Sequence, residues 1–322
     1  MSAPEISVVV PSHDRPLRLR WLLNALEEQT LERERWEVVV GHDSSRSETD
    51  DLLRSHPLAE AGVLRRVTLS PGSAMPGGNR NAALGLARAP LIAFTDDDCR
   101  PPPDWLARAL DAATRHPGDI VQGATRPDPW ERASWDAAPW ARSQQISPPV
   151  PWAQTCNIVY PRELIDRVGG FDERILTGED TELAVRAQQT GARLVGAPEV
   201  LTYHAVETPW LGRHLRSLWR WQHLPYLIKK HPSLRDSFTL WAFWKPTHLW
   251  LPVAAAGAAL ERRNPLYALL ILPWLAHSAP NRGTNPRGRY RALLEMPGRL
   301  AIDLTEMAAL ARGSIRSRTF FL

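Results

Sequence analysis

The chain predicts an α/β fold in which a mostly parallel sheet is flanked by helices and followed by a mainly helical C-terminal extension. Three observations carry that expectation. Ile6-Ser7-Val8-Val9-Val10 and Trp36-Glu37-Val38-Val39-Val40 are β-branched runs of the kind that forms strands buried on both faces. Between them Leu19, Leu22, Leu23 and Leu26 recur at helical spacing, with Pro16 suited to a first turn, which makes a right-handed βαβ unit. A third apolar run, Leu91-Ile92-Ala93-Phe94-Thr95, stops at Asp96-Asp97-Asp98, placing three carboxylates at the sheet edge where α/β folds bind ligands.

The 322 residues suffice for one large α/β domain plus an appendage. Charge is divided unevenly. Residues 1–204 hold 22 basic and 29 acidic side chains, a net of −7, whereas 205–322 hold 17 and 6, a net of +11. Two parts with different partners are expected, divided into 1–207 and 208–322. Two cysteines, Cys99 and Cys156, form neither a disulfide framework nor a metal-ligand spacing, so a reducing compartment and packing roles are expected. Met1 to Glu5 place no basic segment ahead of an apolar core, which predicts no secretion signal and a cytoplasmic location.

Further elements follow in order. A helix is expected near Glu48 to Leu53, a strand near Leu64 to Leu69 and a helix from Asn81 to Ala89. Gly72 to Asn81 reads either as a glycine-rich approach to an anion at that helix N-terminus, with Arg80 adding charge, or as a flexible loop with a cap. No GxGxxG and no Walker motif occurs. A helix from Pro103 to about Arg115 and a strand at Ile120 to Gly123 precede an irregular loop, Pro127 to Trp152, rich in Pro and Trp. Asp180 or Thr181 opens a helix that ends at Gly191, and Pro198 to His204 forms a last strand.

Adjacent carboxylates repel, and a cation relieves that repulsion. Oxygen ligands suit Mg²⁺ or Mn²⁺, and alternation along an extended chain puts Asp96 and Asp98 on one side. A solvated acidic turn is the bland alternative. Glu179 and Asp180 read either as helix-terminal caps or as working acids, and His204 either as structural or as a reach toward a metal.

Taken as an ordered set, Pro11-Ser12-His13-Asp14-Arg15, Gly78-Asn79-Arg80-Asn81, Thr95-Asp96-Asp97-Asp98, Gly169-Gly170-Phe171-Asp172-Glu173, Gly178-Glu179-Asp180 and the distal His204 resemble the family 2 glycosyltransferases over about residues 5–205. The resemblance implies a GT-A-type, Rossmann-like mixed and mostly parallel sheet, and a nucleotide-diphosphate sugar as donor. It implies that Pro11, Ser12, Asp14, Asp43, Arg80, Asp96 and Asp97 serve the donor. It further implies that Asp96, Asp98 and His204 hold a divalent cation, Mn²⁺ or Mg²⁺, and that Asp180, with Glu179 beside it, is the catalytic base of an inverting displacement. In one respect the chain departs from the family: where members carry an acid after the second strand, His42 stands here with Asp43 next. Either Asp43 serves after a small shift, or the nucleotide base is recognised differently.

The C-terminal third mixes Trp210, Leu211, Leu215, Leu218, Trp219 and Trp221 with Arg213, Arg216 and Arg220, the composition of an interfacial helix at an anionic membrane surface. An ordinary packed helix is the alternative, and no nucleic-acid motif accompanies the basic residues. Leu249 to Leu260 and Leu266 to Ala276 are each too short to span a bilayer and read as a helical hairpin. Asn281 to Arg291 is expected to be an exposed tail, and Leu293 to Leu310 one more amphipathic helix. The expected function is metal-assisted transfer of a sugar to an acceptor hydroxyl of a glycan or lipid-linked molecule near the inner membrane face, with the acceptor under Trp140 and Trp152. A sugar nucleotidyltransferase and a catalytically silent glycan- or membrane-binding subunit are the alternatives.

Overall fold

The computed structural model describes residues 3–283 and 285–322. The chain divides into two compact units, residues 1–208 and 209–322.

In the first unit the strands are β1 (Ile6–Ser12), β2 (Trp36–His42), β3 (Leu64–Thr68), β4 (Leu91–Thr95), β5 (Cys99–Arg100), β6 (Ile120–Pro127), β7 (Asn157–Pro161) and β8 (Leu194–His204). The helices are α1 (Pro16–Glu27), α2 (Ser47–Ser55), α3 (Pro57–Glu60), α4 (Pro76–Leu84), α5 (Trp105–Arg115), α6 (Arg132–Ala137), α7 (Arg162–Val168) and α8 (Glu179–Gln189). The sheet order is β3-β2-β1-β4-β7-β6-β8-β5.

Strand alternation sorts the core into two layers. Val8 and Val10 of β1 and Val38 and Val40 of β2 face Leu19, Leu22, Leu23, Leu53 and Trp105. Val9, Val39, Ile92 and Phe94 point the other way, onto Ala83, Phe171, Leu183 and Ala187. Because both faces are covered, the strands read as unbroken apolar runs rather than alternating ones.

The sheet is more evenly mixed than expected. β1 pairs in parallel with β2 and β4, β2 with β3, and β6 with β8. However, β4–β7, β6–β7 and β5–β8 are antiparallel. The unforeseen strand β7 follows an irregular loop rather than a helical crossover, and antiparallel neighbours need no crossover. Its first residue, Asn157, is polar yet fully buried. The register of β6 on β8 slips between Gly123 and Ala124, and the Asn157 amide donates to the carbonyls of Ala124 and Val200 at 2.8 and 2.7 Å, satisfying groups the slip frees.

The start of one helix also differs from expectation. α4 begins at Pro76, so Gly77 and Gly78 lie inside its first turn rather than ahead of it. A Cβ on Gly77 would stand 3.2 Å from the Phe171 Cβ, so these glycines let the 171–179 segment lie against the helix rather than admit a ligand. The loop after β6 carries one 3₁₀ turn, Pro129–Glu131, and α6, and is otherwise irregular as expected.

The second unit holds α9 (Leu211–Leu218), α10 (Leu224–Lys230), α11 (Pro246–Leu260), α12 (Leu272–Ser278) and the 32-residue α13 (Pro286–Ser317). The expected hairpin is present as α11, the turn Pro265–Ile271 and α12. α13 starts well before Leu293, so the supposed exposed tail is partly helix, capped by the Asn285 side chain accepting from the Gly288 N–H at 2.7 Å. Three of its acids point inward. Glu306 accepts from Lys245 and His248, Asp303 from Thr247 and Trp274, and Glu295 from Arg282 and Arg291. His248, Asp303 and Glu306 lie close enough together to hold a cation, but their oxygens already serve this closed network.

Candidate active site

The acidic triplet splits between two tasks. Asp97 turns inward and accepts from the Ser12 hydroxyl at 2.7 Å, tying the end of β4 to the end of β1. Its burial, with Asp98 beside it, pushes its pKa up to about 7 against the pull of Arg15. Asp96 and Asp98 face His204 at the end of β8, with ligand atoms of all three within 4.8 Å of one another. The β5–β8 pairing sets this meeting, since Cys99 stands opposite His204.

The donor set fits a divalent cation. The His204 Nδ1–H donates to the Ala205 carbonyl at 2.9 Å, which turns Nε2 to within 3.4 Å of an Asp98 carboxylate oxygen. A cation seated between this nitrogen and the carboxylate would be held by both. Two carboxylates and an imidazole are ligands that Mn²⁺ and Mg²⁺ accept.

Arg80, on α4, joins the triplet to the second acidic motif. Its guanidinium donates to Asp96 at 2.7 Å and to Glu179 at 2.9 Å, and is itself almost wholly buried. Asn81, the next residue, holds the Phe171 backbone through both its N–H and its carbonyl, at 2.9 and 3.0 Å. The Gly169-Gly170-Phe171 segment is thereby fixed against α4, and Glu179 and Asp180 are carried to the same sheet edge at the start of α8. Glu179 is buried and committed to Arg80, while Asp180 is only partly buried. Burial and the neighbouring Glu179 push Asp180 up to about 7, against the pull of Arg80.

The loop after β1 closes over the end of β2. Asp43 is buried, its carboxylate accepting from Asn79 at 2.9 Å, from the Ala74 N–H at 3.1 Å and meeting His13 at 3.0 Å. Burial alone would raise its pKa, but these donors hold it below the usual carboxylate range. His42 is also buried, with Nε2 3.0 Å from the Thr68 hydroxyl. Asp14, in the left-handed region at φ 49°, accepts from both the N–H and hydroxyl of Ser45, at 2.8 and 2.7 Å. Asp14, Pro16, Arg46, Glu48 and Thr49 line a cleft of about 230 Å³ beside this sheet edge. Pro11 and Ser12 are buried in β1 beneath it.

The Trp-rich loop reaches the same neighbourhood. The Thr181 hydroxyl, one residue past Asp180, donates to the Trp152 carbonyl at 2.8 Å. Trp140 and Trp152 are both half-buried.

Sequence reasoning gave no role to Arg15, Arg142 or Glu207. Arg15 donates to Asp98 at 2.7 Å and to Glu207 at 3.1 Å, and Arg142 donates to Glu207 at 2.7 Å. The only available signal was the place of Arg15 in the motif after β1.

Comparisons with known proteins place the chain in a family. Residues 7–171 match the family model Glycosyl transferase family 2, and residues 91–279 match Glycosyl transferase family group 2. The chain is 23% identical over 293 residues to glycosyltransferase AglE of Haloferax volcanii, covering 87% of this chain and 95% of that protein. It is 28% identical over 280 residues to validoxylamine A glucosyltransferase of Streptomyces hygroscopicus subsp. jinggangensis, covering 76% of this chain and 64% of that longer protein. Among solved structures it resembles the mannosyltransferase PcManGT of Pyrobaculum calidifontis in complex with GDP-Man and Mn²⁺, with a TM-score of 0.60, 23% identity and coverage of 99% and 88% of the two chains. It also resembles residues 1–349 of S. aureus TarS in complex with UDP-GlcNAc, with a TM-score of 0.54, 15% identity and coverage of 99% and 93%. With a GT-A-type sheet and its acidic motifs gathered at one edge, the chain belongs to glycosyl transferase family 2 and is a glycosyltransferase.

Proposed function

We propose that this enzyme transfers a sugar from a nucleotide-diphosphate sugar to an acceptor hydroxyl with inversion at the anomeric carbon, and that Asp180 is the general base. The observation that carries the reading is the Arg80 bridge, which brings Asp96 and Glu179 to one place and leaves Asp180 beside them with its carboxylate accepting from the Thr181 N–H. In the reaction Asp180 accepts the proton of the attacking hydroxyl as the hydroxyl oxygen bonds to the anomeric carbon, and the bond from that carbon to the diphosphate breaks with its electrons leaving on the diphosphate oxygen. A single displacement needs no covalent sugar intermediate. Asp96, Asp98 and His204 would hold the divalent cation, which when bound neutralises charge on the departing diphosphate. Ser12 keeps Asp97 turned away from that site, and Arg80 keeps Asp96 and Glu179 apart by standing between them.

Pro11, Ser12, Asp14, Asp43, Arg80, Asp96 and Asp97 form the donor side. Asp43 acts there through the loop it ties down, since its carboxylate already has three partners. The acceptor lies under Trp140 and Trp152, whose aromatic faces suit a sugar ring and whose loop is bonded to Thr181. It is a glycan or lipid-linked molecule, and the enzyme works at the cytoplasmic face of a membrane; the basic and apolar character of residues 209–322 supports this.

Calorimetry with UDP, GDP and dTDP, each with Mn²⁺ and again with EDTA, tests the donor site. One nucleotide should bind wild type only with the metal, and Asp98→Ala should abolish that binding. Equal binding with and without metal would overturn the assignment of Asp96, Asp98 and His204.

A further inference from the structure

We propose that the α11–α12 hairpin and the first half of α13 form a face that lies in the plane of an anionic lipid surface. This deepens the membrane-side reading above and assigns it to particular residues.

The sequence pointed to the segment around Trp210–Trp221, where Trp210 is 71% exposed but other parts are packed within their own unit. Leu218 is buried, Trp221 stacks on Trp244 at 4.1 Å, and the Gln222 carbonyl stands where a Cβ on Gly313 of α13 would meet it, at 2.2 Å. A longer run of uncovered apolar side chains lies on the hairpin and α13. On the hairpin Leu266, Leu269 and Leu272 are each more than half exposed. On α13 Leu293, Pro297, Leu300 and Leu304 follow one another at helical spacing and are exposed, the reverse of what a packed helix does with leucines. The two sets adjoin, because Leu275 of α12 and Leu293 and Met296 of α13 line one groove of about 370 Å³, together with Arg282 and Arg289. Exposed apolar side chains gathered on one face and rimmed by polar ones mark an interaction site.

Charge selects the occupant. Residues 209–322 hold 17 basic and 5 acidic side chains. Three of those acids, Glu295, Asp303 and Glu306, are buried and paired, which leaves Asp236 and Glu261 outside. Exposed Arg262 and Arg263 stand at the turn of the hairpin, and exposed Arg287 and Arg289 at the start of α13. Leucines rimmed by arginines match acyl chains beneath anionic headgroups. A second copy meeting this face through the same surface would bring the arginine rims together. Among the described residues no helix is long and apolar enough to cross a membrane. The 15 residues of α11 extend about 22 Å against a hydrocarbon core of about 30 Å, so the face lies in the interface rather than through it.

The test is flotation of the full chain with vesicles of phosphatidylcholine alone and with about 30% phosphatidylglycerol, at low and high salt. Wild type should float with the anionic vesicles, about tenfold less with neutral ones, and be released by salt. Leu293→Glu/Leu300→Glu and, separately, Leu266→Glu/Leu269→Glu should each lower vesicle binding about tenfold while leaving Mn²⁺-dependent nucleotide binding and the melting temperature unchanged. The second pair keeps the test decisive if the first fails to fold. Wild type remaining free of anionic vesicles, or either folded variant floating as wild type does, would overturn the proposal. So would a dimer that both variants dissociate, since a second copy would then own the face. Loss of nucleotide binding in wild type itself would instead count against the catalytic reading, leaving the lipid result to stand or fall separately.

Discussion

Arg80 and Glu179, 99 residues apart in the chain, meet at 2.9 Å, and the other arm of the same guanidinium holds Asp96 at 2.7 Å. A planar fork can serve two carboxylates at once, whereas an ammonium is a single point of charge. Arg80→Lys should therefore fold yet lower kcat/KM by about tenfold to a hundredfold, because only one acid stays in place. Arg80→Met should cost about 3 kcal/mol of stability, since it leaves Glu179 buried without its cation. Denaturant unfolding and initial rates check both. Wild-type turnover in the lysine variant would show that the bridge does not set the geometry.

The sign of the pH dependence follows from the proposed role of Asp180 as general base. A general base acts only when ionised, and this carboxyl is pushed up to about 7 by burial and by Glu179. Lowering pH through that value protonates it, so kcat/KM should fall about tenfold per pH unit on the acid side. Asp180→Asn should reduce the rate by about a hundredfold or more and flatten that limb. A profile of kcat/KM for the acceptor measures it, and an unchanged acid limb in the variant would assign the base elsewhere.

Arg15 stands 2.7 Å from Asp98 and 3.7 Å from Asp97, so a guanidinium balances the triplet when no other cation does. Arg15→Gln should lower the melting temperature of the protein in EDTA, and Mn²⁺ should then raise it further than it raises wild type. Thermal shift with and without Mn²⁺ reads this without any turnover. A Mn²⁺ effect smaller than in wild type would mean that Arg15 helps the metal rather than standing in for it.

What the sequence made legible and what it hid divide by distance along the chain. Asp96-Asp97-Asp98 and Gly178-Glu179-Asp180 are contiguous runs, and β1, β2 and β4 are apolar stretches ending at polar ones, so local pattern was enough. Arg15 finds its partners 83 and 192 residues away, which depends on a strand order that no local pattern encodes. β7 escaped notice because Asn157 puts an amide at its start and prolines crowd its approach, although that amide is what lets β6 slip on β8. In the second unit the apolar runs announced a hairpin. Which leucines remain uncovered was decided by packing, and the Trp and Arg composition of residues 210–221 pointed to a segment that packing covers in part, with Leu218 buried and Trp210 exposed.

Trp152 is the test of where the acceptor sits. Its carbonyl is held by Thr181 through the backbone, so the side chain can be removed without breaking that bond. Trp152→Ala should raise the acceptor KM about tenfold with little change in donor binding, and Trp152→Phe should restore most of it. Unchanged acceptor kinetics in the alanine variant would remove the loop from the acceptor site.

Gly41 shows how far from the chemistry the site can be disturbed. It lies in β2 under α4, and a Cβ there would stand 2.1 Å from the Asn79 carbonyl oxygen and 3.3 Å from the Ala83 Cβ. Backbone cannot yield as a side-chain end can, so Gly41→Ala must lift α4 from the sheet, at a cost of about 1–3 kcal/mol. The helix carries Asn79, which holds Asp43, and Arg80, which holds Asp96 and Glu179. The variant should therefore lose activity at temperatures where it is still folded, because the acids it aligns part before the domain melts. Gly62→Ala is the control: its φ of 71° makes alanine strained, at about 1 kcal/mol, but nothing lies within 4 Å of the added carbon. Circular dichroism melts paired with rates at a fixed temperature separate the two. If both variants lose activity only in proportion to their melting, the α4–β2 contact supports stability alone and the alignment of Asp96 with Glu179 rests on α8.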